Sequence, residues 1–233
     1  KIISDINHQT LPPSVATIGF FDGVHRGHRF LINQVKEVAA KDGLYSALIT
    51  FPVHPRQVIQ TAYRPQLLLH QQETRIIGND ASRLLLSSPF YTGTFTVFGS
   101  RVYAVARNKV QYHTLVIGYD HRFGHNAVKI LKIIAVMVGT EHIYSSARAY
   151  TDKEGKISSS VIRQLLKEGE VSQAAKFLGI TTIWMERVDG YKVGRKIGFP
   201  TANLQVDCSD KLIPSEGVYA VYVYVEGKNG QEC

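Results

Sequence analysis

The sequence holds only two cysteines, Cys208 and Cys233, too few for a disulfide framework and in keeping with a reducing compartment. No apolar run approaches the length of about eighteen residues that a membrane helix needs. The N-terminus lacks a signal-peptide pattern, so the cytoplasm is the expected location. There is no internal repeat and no low-complexity segment. Lys+Arg 27 against Asp+Glu 19 leaves a net charge of +8, which favours anionic partners. No five or six basic residues run together, and aromatics are not interleaved with a basic face, so a nucleic-acid module is not indicated. What remains is an ordinary globular composition, 44% hydrophobic and 20% charged, in a chain long enough to bury a core without staples.

The organising stretch is Thr17-Ile18-Gly19-Phe20-Phe21-Asp22-Gly23-Val24-His25-Arg26-Gly27-His28. An apolar strand, Val15 to Phe20, breaks at glycines and runs into an amphipathic helix predicted over His28 to Ala40, stopping at Asp42-Gly43. The first N–H groups of a helix have no internal partners, so strand, glycine turn and helix start form a ready anion site. His25 and His28 suit charge stabilisation at a phosphate. The glycines around them favour that reading over the alternatives, two solvent-facing histidines capping a helix or a metal pair at i, i+3 for which no Cys or Glu set follows at ligand spacing.

Tyr45 to Phe51 reads as a buried strand halted by Pro52 and Pro55, which completes a βαβ unit and predicts a parallel sheet. Leu67-Leu68-Leu69 and Leu84-Leu85-Leu86 are apolar without a clean period, so residues 66–113 are left unassigned. Thr114 to Tyr119 is a further buried strand, followed by Asp120-His121-Arg122-Phe123-Gly124. Residues 128–138 suit a helix and His142 to Tyr144 a strand. Ser158-Ser159-Ser160 opens a helix that stops at Gly169, and Val171 to Leu178 forms another that ends at Gly179. Beyond Ile180 the pattern turns to strands, Thr181 to Met185 and Gly217 to Val225, joined by Gly/Pro-rich turns. A domain boundary is expected near residues 179–183.

Gly19–His28, Gly118–Gly124 and Ser158–Arg163 share one layout, in which small or polar residues lie between a strand or loop and the following segment. In an open parallel sheet such segments gather at the carboxyl edge, where ligands bind at the switch point. Other readings stand beside this one. Ser158–Ser160 suits a plain N-cap, His54 a loop histidine, and Thr201-Ala202-Asn203 a turn into a strand.

Gly19 to His28 resembles the signature of the FAD synthetase (FMN adenylyltransferase) module of bacterial bifunctional riboflavin kinase/FAD synthetases, an HxGH variant of the nucleotidylyltransferases. Alone, that tetrad also fits pantetheine-phosphate or nicotinate-mononucleotide adenylyltransferases. Thr50-Phe51-Pro52-Val53-His54-Pro55-Arg56 is similar to the family's flavin-side loop. Gly118–Gly124 resembles its second nucleotide loop and Ile157–Arg163 its Ser-Ser-Thr-x-x-Arg loop. Gly194-Arg195-Lys196-Ile197-Gly198-Phe199-Pro200-Thr201-Ala202-Asn203 resembles the riboflavin kinase signature. The sequence departs by Ser160 for threonine, His121 for phenylalanine and Val53 for proline, and by His125-Asn126 after Gly124.

The resemblance implies a doubly wound α/β nucleotidylyltransferase over residues 1–179 and an antiparallel β-barrel riboflavin kinase, incomplete here, over 180–233. His28, His25 and Arg163 would be catalytic. Gly19, Phe20, Phe21, Asp22, Gly27, Asp120, Ser159 and Ser160 would bind ATP, and His54 with Pro55 would bind FMN. Thr201 and Asn203 would hold Mg²⁺ and, with Gly198, the ATP of the kinase domain. The implied reaction joins ATP and FMN into FAD and pyrophosphate. The expected partners are small-molecule nucleotides and flavins, with no nucleic acid or membrane, in a monomer or weak homo-oligomer. The family's catalytic glutamate lies beyond the position of Cys233, so the natural protein is expected to continue and this chain to be inactive as a kinase. The rival readings are another small-molecule adenylyltransferase and a flavin-nucleotide-binding protein without turnover.

Overall fold

Ser-Val-Ala-Thr-Ile, the stretch that ends at Gly19, is buried at every position because strands pack against it on both edges. The protein is seen in a computed structural model that describes residues 2–3, 12–51, 53–54, 56–57, 60, 62–69, 84–87, 112–118, 143–146, 150, 155–181, 198 and 210–222. Among these, the strands are β1 (Ile2–Ile3), β2 (Ser14–Ile18), β3 (Tyr45–Thr50), β4 (Leu84–Ser87), β5 (Tyr112–Ile117) and β6 (Ile143–Ser146). The helices are α1 (Arg26–Lys41), α2 (Ser159–Lys167) and α3 (Val171–Leu178).

The strands form one sheet in the order β1-β4-β3-β2-β5-β6, with every neighbouring pair parallel. Ala16 pairs with Ala47 of β3 on one side and with Leu115 of β5 on the other. The chain first moves outward from β2 through α1 to β3, then returns to β2's other edge with β5. That reversal makes the carboxyl end of β2 the switch point, where a parallel sheet leaves a crevice. Full burial of β2 also explains why its sequence lacks alternation: both faces of a parallel sheet are covered.

α1 covers the sheet with Ile32, Val35 and Ala39, which meet Val15, Val116 and Leu48 in two apolar clusters. A second core lies under the α2–α3 hairpin, where Ile162, Leu166, Ala174, Phe177 and Leu178 surround Leu68 and Leu212. Full burial of each large side chain contributes roughly 1.5–3 kcal/mol, so this cluster is a substantial part of the fold. Its membership crosses the expected domain boundary. Leu212 packs on helices of the first region, and Ser215 N–H donates to Leu166 O at 3.0 Å.

Several expectations change in the structure. α1 begins at Arg26, before the expected His28, because the His25 side chain caps it. β4 lies in the stretch left unassigned, and Ile2–Ile3 pairs beside it. Leu67–Leu69 is not a strand; Leu67 makes one isolated parallel bridge to Lys211. The strand expected over Gly217–Val225 does not form across 217–222, where Val218, Val221 and Tyr222 are exposed. Alternating valine and tyrosine supply strand propensity, but a strand exists only where a neighbour takes its hydrogen bonds, and among the described residues none does. Instead the Tyr219 hydroxyl donates back to Ser215 O at 2.6 Å. The helix expected over 128–138 and the strand over Thr181–Met185 fall on residues outside those described, apart from Thr181.

Candidate active site

The backbone turns sharply after β2. Gly19 N–H donates to Ile49 O at 3.0 Å, and the Thr50 hydroxyl donates to Phe20 O at 3.2 Å, which carries the pairing with β3 two residues past the strand. Phe21 then adopts the left-handed region (φ 54°), Gly23 follows at φ 82° and Val24 at φ 38°. Left-handed backbone in a phenylalanine and a β-branched valine costs of order 1–3 kcal/mol each. Burial holds it: Phe21 is 4% and Val24 0% exposed. Gly23 has no alternative, since a Cβ there would lie 2.9 Å from both Leu178 and Leu68.

This strained turn delivers His25 to the start of α1 in extended backbone (φ −61°, ψ 170°). Its Nδ1 accepts the His28 N–H at 3.3 Å, capping the helix. An accepting Nδ1 puts the ring proton of neutral His25 on Nε2. The two imidazoles stack with centroids 3.6 Å apart and 16° between planes, and Phe21 meets His28 edge-on at 5.2 Å. Gly27 makes room for this, because a Cβ there would sit 3.2 Å from the His25 ring. Burial, and secondarily the neighbouring His25, hold His28 well below the usual imidazole range. Its Nδ1 is buried and has no partner among the described residues. Burial of the His28 ring favours its neutral form, and the stack fixes the two imidazoles in one frame at the helix start.

α2 approaches the same turn. Ser158 caps it by accepting Val161 N–H at 3.3 Å, while the Ser159 hydroxyl donates to Asp22 O at 3.0 Å. The Arg163 guanidinium donates from Nη2 to Asp22 Oδ2 at 2.6 Å and from Nε to Gln66 O at 2.7 Å. Asp22, 4% exposed, fills its other oxygen with the amides of Leu68 at 2.9 Å and Leu69 at 3.4 Å. Burial pushes the Asp22 carboxyl upward, against the downward pull of Arg163 and those two amides. Three donors, one of them a permanent cation, are surroundings that suit a carboxylate.

Beside Arg163 lies a cleft of about 320 Å³ lined by Tyr63, Arg64, Pro65 and Gln66 as well. His54 lies in the same region, with its ring 5.3 Å from Tyr63 and 4.8 Å from Phe20. Arg56 stacks over Tyr63 at 4.8 Å. Burial first, then Arg163 and Arg56, lower the pKa of His54 to about 4. Aromatic faces, cations and a neutral imidazole suit a flat anionic ligand.

Of the residues expected to act together, the structure gathers His25, His28, Gly19, Phe20, Phe21, Asp22, Gly27, Ser159 and Arg163 around one turn. Ser160 is exposed on the first turn of α2. Gly118 follows β5 on the same sheet edge, whereas Asp120 lies outside the described residues, as do Pro55, Thr201 and Asn203. Gly198 is described, with φ 85°. The sequence reading missed the Leu68 and Leu69 amides, the Gln66 carbonyl and Tyr63. Backbone groups carry no residue signature, and Tyr63 lies past two prolines in a segment without a period.

A model of the FAD synthetase family matches residues 7–161, and one of the riboflavin kinase family matches 181–232. The bifunctional riboflavin kinase/FMN adenylyltransferase of Listeria monocytogenes is 33% identical over 222 residues, spanning 92% of this chain and 69% of that protein. The protein of the same description from Escherichia coli K12 is 31% identical over 233 residues, 96% of this chain and 73% of that one. A crystal structure described as a macrolide-efflux protein from Streptococcus pneumoniae superposes with a TM-score of 0.81 at 28% identity, covering 98% of this chain and 75% of that one. Among the described residues no helix is long and apolar enough to cross a membrane. With both family models matched in order and relatives above 30% identity along most of its length, the chain belongs to the bifunctional riboflavin kinase/FMN adenylyltransferase family.

Proposed function

We infer that the chain transfers the adenylyl group of ATP to FMN, giving FAD and pyrophosphate, and that its C-terminal region serves the family's second activity, phosphorylation of riboflavin with ATP. The observation that carries the first assignment is the stacked His25–His28 pair at the capped N-terminus of α1, on the switch-point edge of the sheet. An oxygen of the FMN phosphate attacks the α-phosphorus in line. The bond to the β-phosphate breaks and pyrophosphate leaves, with no covalent enzyme intermediate.

In this reading His25 and His28 donate to the phosphate oxygens on which charge builds, and Arg163 faces them from α2. Removing water around such donors strengthens each one, because the local dielectric is low. His54 and Pro55 take the flavin side, next to the cleft by Tyr63. Asp120 takes the adenosine side. Mg²⁺ enters bound to the nucleotide phosphates, since it keeps a partial water shell and rarely needs an all-protein cage. The donor set near His25 agrees with that: both Asp22 oxygens already have protein partners. When bound, Mg²⁺ neutralises phosphate charge. Thr201 and Asn203 are the proposed Mg²⁺ and ATP contacts of the kinase region, with residues 1–179 and 180–233 as the two domains and a β-barrel for the second. The low cysteine count is in keeping with a cytoplasmic setting.

The test is pyrophosphate release from ATP and Mg²⁺ across FMN, phosphopantetheine and nicotinate mononucleotide. Turnover with FMN alone is expected. Turnover with another acceptor, or binding of FMN without turnover, would replace this assignment.

A further inference from the structure

We propose that Asp22 is a positioning residue for adenylyl transfer, which holds Arg163 and the Gln66–Leu69 wall of the cleft in fixed geometry against the histidine turn. The inference rests on the role given to Arg163 above. Two segments distant in sequence converge on this one residue. Its Oδ2 takes Arg163 Nη2 from α2, its Oδ1 takes the amides of Leu68 and Leu69, and its own carbonyl takes the Ser159 hydroxyl. Arg163 completes the frame by donating Nε to Gln66 O, so the guanidinium spans Asp22 and the cleft wall at once. Its side chain remains 23% exposed, and Nη1 has no partner among the described residues. That nitrogen is left for substrate.

The carboxylate itself has no such spare capacity. At 4% exposure, with both oxygens occupied by donors, it does not reach a nucleotide directly and instead acts through Arg163. Its position explains why it sits in the strained turn. Asp22 lies between Phe21 (φ 54°) and Gly23 (φ 82°), so the turn that presents His25 is the same turn that aims the carboxylate at α2. One element thereby sets the distance between the two sides that would clasp the phosphates. The wall it fixes continues outward, since Leu67 N–H donates to Asp210 O at 2.6 Å and Leu212 N–H to Leu67 O at 2.8 Å. Loss of the carboxylate charge therefore frees Arg163 and slackens that wall, while His25 and His28 keep their own cap and stack.

Steady-state pyrophosphate release with ATP, Mg²⁺ and FMN is to be compared in the whole chain and in Asp22→Asn, Arg163→Ala and their combination. Asparagine keeps an acceptor for the Leu68 and Leu69 amides but turns an amide N–H₂, a donor, toward Arg163. Asp22→Asn is expected to lower kcat about 10- to 100-fold with much smaller changes in the KM for FMN. Arg163→Ala should lose about as much, and the combined variant should be no slower than Arg163→Ala alone. Multiplying losses in the combined variant would show that Asp22 acts independently of Arg163, or only through stability, and would overturn the inference. So would an unimpaired Asp22→Asn beside a crippled Arg163→Ala. Full activity in Arg163→Ala would instead remove the underlying role of Arg163, and this inference with it. If Asp22→Asn lacks a cooperative thermal transition, Arg163→Lys decides. Lysine keeps the charge but cannot span Asp22 Oδ2 and Gln66 O, so a wild-type rate there overturns the inference and a similar loss supports it.

Discussion

The two helix starts that meet at this site are built differently. α1 is capped by a histidine that is also the proposed chemical group, reached through two strained residues and packed ring-on-ring with its neighbour. α2 is capped by Ser158, an ordinary cap in extended backbone (φ −149°, ψ 158°), and its Ser159 and Arg163 side chains are spent holding Asp22. The same device, a helix N-terminus with its unpaired amides, thus serves charge stabilisation on one side and alignment on the other. The difference lies in which side chains remain uncommitted. On α1 a buried ring nitrogen of His28 has no partner among the described residues; on α2 the Ser158 and Ser159 hydroxyls and most of the guanidinium have one.

Breaking the α1 side should cost the most. His28→Ala is expected to lower kcat for FAD formation about 10²–10³-fold, the range for losing one donor to developing charge. The thermal transition should stay close to that of the parent, because the His28 Nδ1 has no hydrogen bond to lose among the described residues. Full residual adenylylation in an enzyme assay would end the α1 side's claim to the chemistry.

Gly27→Ala sharpens the comparison by separating activity from stability. Alanine is the better helix former by about 1 kcal/mol, yet its Cβ would press on the His25 ring at 3.2 Å. A fall in kcat of about tenfold without a fall in melting temperature is expected. Calorimetry and kinetics on one preparation check it.

On the α2 side, Ser158→Ala removes only the cap. Chemical denaturation should register a loss of about 1 kcal/mol, with kcat little changed. A large kcat effect would mean that Ser158 touches substrate and that the two helix starts are more alike than their partners suggest.

The smallest effect concerns pH. His54 has a folded-state pKa of about 4, below its ordinary value, so the unfolded chain binds the extra proton first. Stability from this group is complete above about pH 6.5 and declines as pH falls toward about 4. His28, also depressed, adds a loss of the same sign. His54→Phe should flatten the acid limb of a melting-temperature profile, although the residue's partial exposure keeps the change modest.

Much of the site was readable without coordinates. The Gly19–His28 stretch announced a strand, a turn and a helix, and the histidines sit where that order puts them. Ser158 as a cap, Gly179 as a left-handed stop (φ 74°) and the burial of Thr114–Ile117 were equally visible, because caps, stops and apolar runs are local properties. Asp22 was legible as a member of the motif but not as a hub. Its partners lie 46 to 141 residues away, and two of them are backbone amides. The Gly217–Val225 expectation failed over 217–222 for the same reason in reverse: local alternation was present, but no pairing partner lies among the described residues.

The sequence by itself determined the parallel βαβ start, the helix caps and the glycine turn at the start of α1, since each follows from side-chain period, glycine placement or a hydroxyl at a helix start. Tertiary structure alone decided that β2 has neighbours on both edges, that Leu212 shares a core with α2 and α3, and that Arg163 is held by Asp22 and Gln66. Those outcomes depend on which distant surfaces meet, and burial there makes each unmatched charge costly enough that only a paired arrangement persists.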